Sequence, residues 1–513
     1  MNGRSIDLSK VLLFVLTAAY ILLTWKTNVD VVESFERRRS GGGGRSRNSN
    51  NKLSWREERE EKEQPVPLLK DTTLVSQTNN NKDEKQETSV AAQDEHNNNN
   101  KDADNDNKTT PKFHIVFSTG CSIFQDWQSY TFFYFAKISG QPGEVTRVAS
   151  GCNPHDAVAL KQQFAEQIQI MSPHFHLHIT PDFSRAADAQ KPYKFFNKPL
   201  GLRHWMEHEL GFPDAAAQDD QDAIFVILDP DQIILRNFVQ DYTNEPEIYQ
   251  PSPLDYTKIA PGQPMAAEYG FGAKWRSKID ISDILNSTSA PSPVRTWTDK
   301  DIMQHYAAGP PYQAVGSDMY NIVKTWADFV IPIWRQTKGT FLAEMFAYST
   351  AAAHLNLPHR LTKSFMISDA SSGVGEAWKF WIDDKSSNQV CALDFEPMPH
   401  VFHFCQRYYL GPYFFGKYKL PKDKNNKFFS CEHALIDEPP LDIADKYLSS
   451  VTPDGTEYKN MSPAQRIRMA FALCQLIPRM NQAATYFKQQ HCPAGTANFE
   501  KSFHFPMDRP RGG

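Results

Sequence analysis

The chain predicts an α/β fold on a doubly wound, mostly parallel sheet, and three observations carry that prediction. From Lys112 onward, short apolar segments alternate with helix-length ones. One of them, 223–228, is six apolar residues in succession, as expected of a central parallel strand covered on both faces. That segment runs directly into two acidic residues, Asp229 and Asp231, at the end of a strand where open α/β sheets present their ligand sites.

Each element follows in order. Residues 113–117 form a first strand, which Ser118, Thr119 and Gly120 break. A helix from 122 to about 139 is rich in Phe, Tyr and Trp. Residues 144–149 alternate as a second strand, 175–180 supply a third, and 197–210 read as a helix. Beyond the buried strand, 340–354 and 463–489 are helical, and no internal repeat is visible. A catalytic domain over 112–396 is expected, with 397–513 packing on it as a C-terminal extension and not as an independent domain.

The N-terminus is made of other material. Residues 11–25 are an apolar run broken only by Thr17 and Thr24. Fifteen helical residues reach roughly 22 Å, so Leu8 and a snorkelling Lys10 are needed to approach a bilayer core of about 30 Å. An uncleaved anchor preceded by a cytoplasmic tail, 1–10, is the preferred reading; a cleaved signal peptide is the other. Residues 26–111 hold Gly41 to Gly44 and Asn97 to Asn100 among charges, with almost nothing to bury, and are expected to be a disordered stalk. Anchor, stalk and dense domain suit a single-pass type II protein of the Golgi or endoplasmic reticulum membrane with its domain in the lumen. Basic residues flank the run on both sides, so charge does not set that topology.

Composition excludes other classes. The net charge is −5 and Lys and Arg form no sustained basic stripe, which argues against nucleic acid as a partner. The seven cysteines include no C-x-x-C pair, which argues against a zinc ribbon; in an oxidising lumen several should pair and at least one stay free. Sequons occur at Asn107, Asn286 and Asn460, the last weakened by Pro463.

Asp229-Pro230-Asp231 is the sharpest chemical feature. Two carboxylates one residue apart at a strand end form a hard oxygen site for Mn²⁺ or Mg²⁺, able to bridge the phosphates of a nucleotide sugar. A solvated turn is the bland alternative. A phosphatase motif is set aside because Ile233 stands where it needs Thr. His403 lies in an alternating segment with Val401 and Cys405 and is either a core histidine or a further ligand. Glu344 is the only charged residue between Thr340 and Ala353, and a buried carboxylate needs a partner or a cleft. It is a structural ion pair or an acceptor-facing carboxylate. Asp318, in Gly316-Ser317-Asp318, is a candidate on the same side but also fits a helix cap.

Several segments together resemble the hydroxyproline O-arabinosyltransferases and peptidyl-serine α-galactosyltransferases of plants and algae. They are Asp126-Trp127-Gln128; Gly140-Gln141-Pro142-Gly143 with Thr146-Arg147 and Ser150-Gly151-Cys152; Asn197-Lys198-Pro199 with His204-Trp205; Asp229-Pro230-Asp231; Glu344-Met345-Phe346-Ala347-Tyr348-Ser349; and His403-Phe404-Cys405-Gln406-Arg407-Tyr408. The resemblance runs with gaps from Lys112 to the last cysteine. Pro230 and Gln232 fit neither branch cleanly, so it assigns neither arabinose over galactose nor hydroxyproline over serine. It implies a GT-A-like fold, a UDP-sugar donor, a secreted or cell-wall protein acceptor and retention of anomeric configuration. It implies Asp229, Asp231 and His403 as metal ligands, Trp127, Arg147, Asn197, Lys198 and Gln406 on the donor side, and Glu344 on the sugar or acceptor side; Asp318, outside the matching segments, joins Glu344 as a candidate catalytic carboxylate. It also supports a Cys121–Cys152 bridge, both cysteines following strands expected to lie side by side. The reading from another class is a catalytically silent glycan- or peptide-binding module on the same scaffold, which would need neither aspartate.

Overall fold

The computed structural model describes residues 111–187, 192–245, 252–371, 376–392, 398–423, 426–447 and 461–505. The expected tail 1–10, the anchor 11–25 and all but the last residue of the stalk 26–111 lie outside them. Among the described residues, no helix is long and apolar enough to cross a membrane.

The apolar segments pair as a parallel-dominated sheet. β1 (Phe113–Gly120), β2 (Glu144–Ser150), β3 (Phe175–Thr180) and β4 (Ile224–Leu228) run the same way, β1 between β2 and β4 and β3 outside β2. β5 (Gln232–Ile234) leaves this sheet at once. β6 (Met265–Glu268), β7 (Ala308–Val315) and β8 (Arg360–Thr362) complete it in the order β3-β2-β1-β4-β7-β6-β8. β7 is the reversed strand, antiparallel to both β4 and β6.

Three helices make the crossovers: α1 (Ile123–Ile138), α2 (Pro154–Gln167) and α3 (Asn197–His208). α2 has no counterpart among the elements expected from the sequence, although its start is well marked: the Asn153 side chain accepts the Asp156 N–H and Pro154 sits in the first turn. The longer α4 (Gly316–Gln336) is likewise unanticipated; its apolar positions face the sheet and it carries Pro332 within it. α5 (Ala343–His354) and α6 (Pro463–His491) stand close to where they are expected. Ser462 and Gln465 form a capping box at the head of α6, with Pro463 in its first turn.

Successive residues of β4 serve opposite faces. Ile224, Val226 and Leu228 enter the core shared with α1 and α6, whereas Phe225 and Ile227 enter the core shared with α3, α4 and α5. That two-sided burial is why the segment is apolar throughout, and each such side chain contributes about 1.5–3 kcal/mol on leaving water. The C-terminal segment is part of the same structure: the ring of Tyr134 in α1 packs, tilted, 5.1 Å from that of Tyr486 in α6, and Tyr130 meets Phe487. Cys121 and Cys152 are bridged with Cα atoms 4.9 Å apart, clamping the carboxyl ends of β1 and β2 as expected. Cys391–Cys474 and Cys431–Cys492 are also bridged, and Cys405 is free.

Candidate metal centre

The turn after β4 is built by its own backbone. Gln232 N–H donates to the Asp229 carbonyl at 3.2 Å, and its side-chain Oε1 accepts the Asp229 N–H at 2.8 Å. The chain then enters β5, and β10 (Val401–His403) pairs antiparallel with it while β9 (Met366–Ile367) lies on the other side of β10. In that register His403 stands opposite Gln232, and Phe404 N–H donates to the Asp231 carbonyl at 3.0 Å. A backbone ladder thus delivers the histidine to the acidic turn. Asp229, Asp231 and His403 each offer a ligand atom within 4.8 Å of the others, and His403 Nε2 is 3.3 Å from Asp231 Oδ1. Two carboxylates and an imidazole, mostly buried and converging, fit a divalent cation such as Mn²⁺ or Mg²⁺.

Two ammonium groups close the cluster. Lys198, in the first turn of α3, places Nζ 2.7 Å from Asp229 Oδ1 and 3.4 Å from Glu344 Oε1. Lys417 donates to Asp231 Oδ2 from the far side. Burial opposes the charge of Asp231, but Lys417 and then His403 hold its carboxyl far below the usual range. Burial likewise opposes the charge of Lys198, and Asp229 and then Glu344 hold its ammonium above its ordinary value. Glu344 differs: burial pushes it up to about 6, against the pull of Lys198, and Asp229 adds to the rise. A wall of rings backs this corner. Tyr312 stacks on Tyr348 with centroids 3.6 Å apart, and Lys198 Nζ lies 5.7 Å from the rings of both Tyr312 and Trp326. Trp326 Nε1 donates to the Glu344 carbonyl at 2.8 Å, which fixes the head of α5 against α4.

The other expected residues divide. Trp127 is buried in α1 with its ring 5.8 Å from that of Phe404, so it supports the histidine strand from behind. Arg147 donates to Thr119 Oγ1 and to Asp126 Oδ1, both at 2.9 Å, and so ties α1 to the carboxyl ends of β1 and β2. Asn197 accepts the Phe183 N–H at 2.7 Å and orders the loop before α3. Gln406 is half-buried on the turn that follows β10. Asp318 is not brought to the centre. β7 runs against β4, pairing Val315 with Ile224, so α4 starts at the amino end of β4 while Asp229 follows its carboxyl end. There Asp318 accepts the Gly262 N–H at 2.6 Å. Lys417 and Gln232 are the residues sequence reasoning missed. Gln232 was legible in principle as a side chain three residues past a turn aspartate; Lys417 carries no spacing signal at all.

No family model matches the chain. Over 261 residues, 50% of this chain and 28% of the relative, it is 26% identical to the peptidyl serine alpha-galactosyltransferase of Arabidopsis thaliana. Over 125 residues, 24% of this chain and 14% of the relative, it is 26% identical to the protein of the same name from Chlamydomonas reinhardtii. The match therefore takes in less than a third of either relative's length. Both relatives fall within the resemblance read from the motifs. Among solved structures, galactosyltransferase LgtC with donor and acceptor sugar analogs matches over 57% of this chain and 87% of its own, at 10% identity and a TM-score of 0.30. The apo WbbM bifunctional glycosyltransferase matches over 59% and 47%, at 10% identity and 0.29. Those structural likenesses are too faint to bear on fold or function.

Proposed function

We propose that the chain is a metal-dependent retaining glycosyltransferase of GT-A-like fold, moving arabinose or galactose from a UDP-sugar to hydroxyproline or serine of a protein acceptor. The observation that carries this reading is the convergence of Asp229, Asp231 and His403 at the carboxyl end of β4. The sequence likeness to two peptidyl serine alpha-galactosyltransferases supports the reaction class and the kind of acceptor. The parallel-dominated sheet and its single reversed strand support the fold. Three disulfides support an oxidising compartment, in keeping with a Golgi or endoplasmic reticulum membrane protein.

Asp229, Asp231 and His403 would hold the cation, which when bound neutralises charge gathering on the leaving diphosphate. The chain's own residues supply the rest. Lys198 and Lys417 hold two ammonium groups against the Asp229 and Asp231 carboxylates, a positive charge beside the cation site that would favour a diphosphate. Glu344 offers a buried carboxylate beside Lys198 that accepts a hydrogen bond from a sugar or acceptor hydroxyl. Tyr312, Tyr348 and Trp326 exclude water behind it. Catalysis then comes from positioning and from charges fixed before the reaction begins. The test is a screen of UDP-sugars for hydrolysis and for transfer to Ser- and hydroxyproline-containing peptides, with and without Mn²⁺. Metal-dependent turnover of one donor is expected. No turnover with any UDP-sugar, by a folded protein, would favour the silent binding module.

A further inference from the structure

Histidines gather on the outer flank of the seven-stranded sheet. β3 is an edge strand whose alternation sets His176 and His178 on one face, with His174 in the turn just before it. α3 packs over that flank and adds His204 and His208, four residues apart and therefore on one side of the helix.

We propose that His178, His204 and His208 form a second metal site, separate from the acidic centre and suited to a borderline transition-metal ion of the zinc class. His178 Nε2 lies 3.0 Å from His204 Nδ1. The other nitrogen of His178, Nδ1, faces Glu209 Oε2 at 3.4 Å. A carboxylate in that place holds the N–H on Nδ1 and turns the Nε2 lone pair toward His204, the outer-shell arrangement that orients metal-ligating imidazoles. His208 donates through Nδ1 to the His204 carbonyl at 3.0 Å, which leaves its Nε2 free to ligate. The rings of His204 and His208 are stacked, with centroids 4.0 Å apart and planes 5° from parallel.

The His178–His204 pair needs little change, whereas His208 has to swing off its stack on His204 before its Nε2 points at the same ion. Zinc–nitrogen bonds of about 2.0–2.1 Å in a tetrahedron put two nitrogens about 3.3 Å apart, so the His178–His204 contact has only to widen by a few tenths of an ångström. His208 is exposed and is the ligand that has to move; its nitrogen is not yet gathered as tightly as the donors of the acidic centre. His174 and His176 stay out of the set, because Glu144 engages them on its two separate oxygens, at 3.0 and 2.5 Å. An all-imidazole shell disfavours Mg²⁺ and Ca²⁺, which prefer oxygen. Three strand spacings separate β3 from β4, placing the site roughly 14 Å across the sheet from the acidic turn.

The experiment uses the full chain, stripped of metal and carrying Asp229→Asn with Asp231→Asn to silence the acidic centre. Zn²⁺ is titrated against a chromophoric chelator in excess Mg²⁺, and Co²⁺ is substituted to read the visible band of a tetrahedral ion. One equivalent of Zn²⁺ is expected to bind, more weakly by at least roughly tenfold in His178→Gln, His204→Gln or His208→Gln. Unchanged affinity is expected in His174→Gln with His176→Gln. His208→Gln alters an exposed side chain and keeps the test open should the more buried substitutions impair folding. No Zn²⁺ bound by the silenced parent, binding that survives in His208→Gln, or binding lost with His174 and His176 would each overturn the proposal. Because the acidic centre is already silenced, none of these outcomes depends on the glycosyltransferase reading.

Discussion

The ammonium of Lys198 stands 3.4 Å from a carboxylate oxygen of Glu344, joining the first turn of α3 to the first turn of α5. The same nitrogen reaches Asp229 at 2.7 Å, so one buried cation separates the buried Glu344 from the half-buried Asp229. Remove it and the carboxylates face each other across the corner lined by Tyr312 and Trp326.

Lys198→Met is therefore expected to cost stability as well as turnover. Breaking a buried pair by taking away one partner typically costs about 3–5 kcal/mol. The loss should be larger at pH 8 than at pH 5, because acid lets Glu344 take up a proton and relieves the repulsion. Melting temperatures of parent and variant at the two pH values check this, and an equal loss at both would contradict it.

Glu344 carries its own pH signature. Its pKa in the folded chain is raised to about 6 from an ordinary 4.5, with burial as the largest cause. Its contribution to stability is therefore full below about 4.5 and is lost as pH rises through about 6. Glu344→Gln removes that dependence. Relative to the parent, the variant should gain about 2 kcal/mol between pH 4.5 and 7, as denaturant titrations would read, while transfer activity falls. Parallel stability curves would refute the assignment.

His359 works in the opposite sense. It is fully buried, its Nδ1 donating to the Leu357 carbonyl at 3.0 Å and its Nε2 accepting from Tyr348 at 2.9 Å. Burial lowers it to about 4 from an ordinary 6.5. The stability it contributes is present above pH 6.5 and is lost as pH falls through 4, up to about 3 kcal/mol. His359→Gln should flatten that acid limb in pH-dependent unfolding; an unchanged limb would show that some other group causes it.

The bridge between Cys121 and Cys152 closes a loop with a sequence separation of 31. Chain entropy predicts that replacing both with Ser lowers stability by about 3–4 kcal/mol. The acidic centre lies after β4 and not on this clamp, so UDP binding by the still-folded variant should persist at low temperature.

Much of the site was legible because its signals are local. A two-sided apolar strand ending in two aspartates needs no partner to be recognised, and β4 has that form. His403 was harder: alternation marked it as a strand residue, but only the antiparallel register against Gln232 gives it an address. Lys417 meets Asp231 across a separation of 186 residues, and nothing in its neighbourhood distinguishes it from a surface lysine. Asp318 misled for a topological reason. Proximity in sequence to the sheet does not say at which end of it a residue emerges, and the reversed β7 sends this one to the wrong end.

As proposed, Asp229 and Asp231 would hold the cation that neutralises the donor diphosphate. The most direct measurement is thermal stabilisation by UDP with Mn²⁺, in the parent chain and in Asp231→Asn. Ligand at a hundredfold excess over its Kd stabilises a folded protein by about 2.7 kcal/mol. Such a shift is expected in the parent, dependent on Mn²⁺, with its near absence in an Asp231→Asn protein that still folds. An equal shift in Asp231→Asn would rule out cation binding by the aspartate pair.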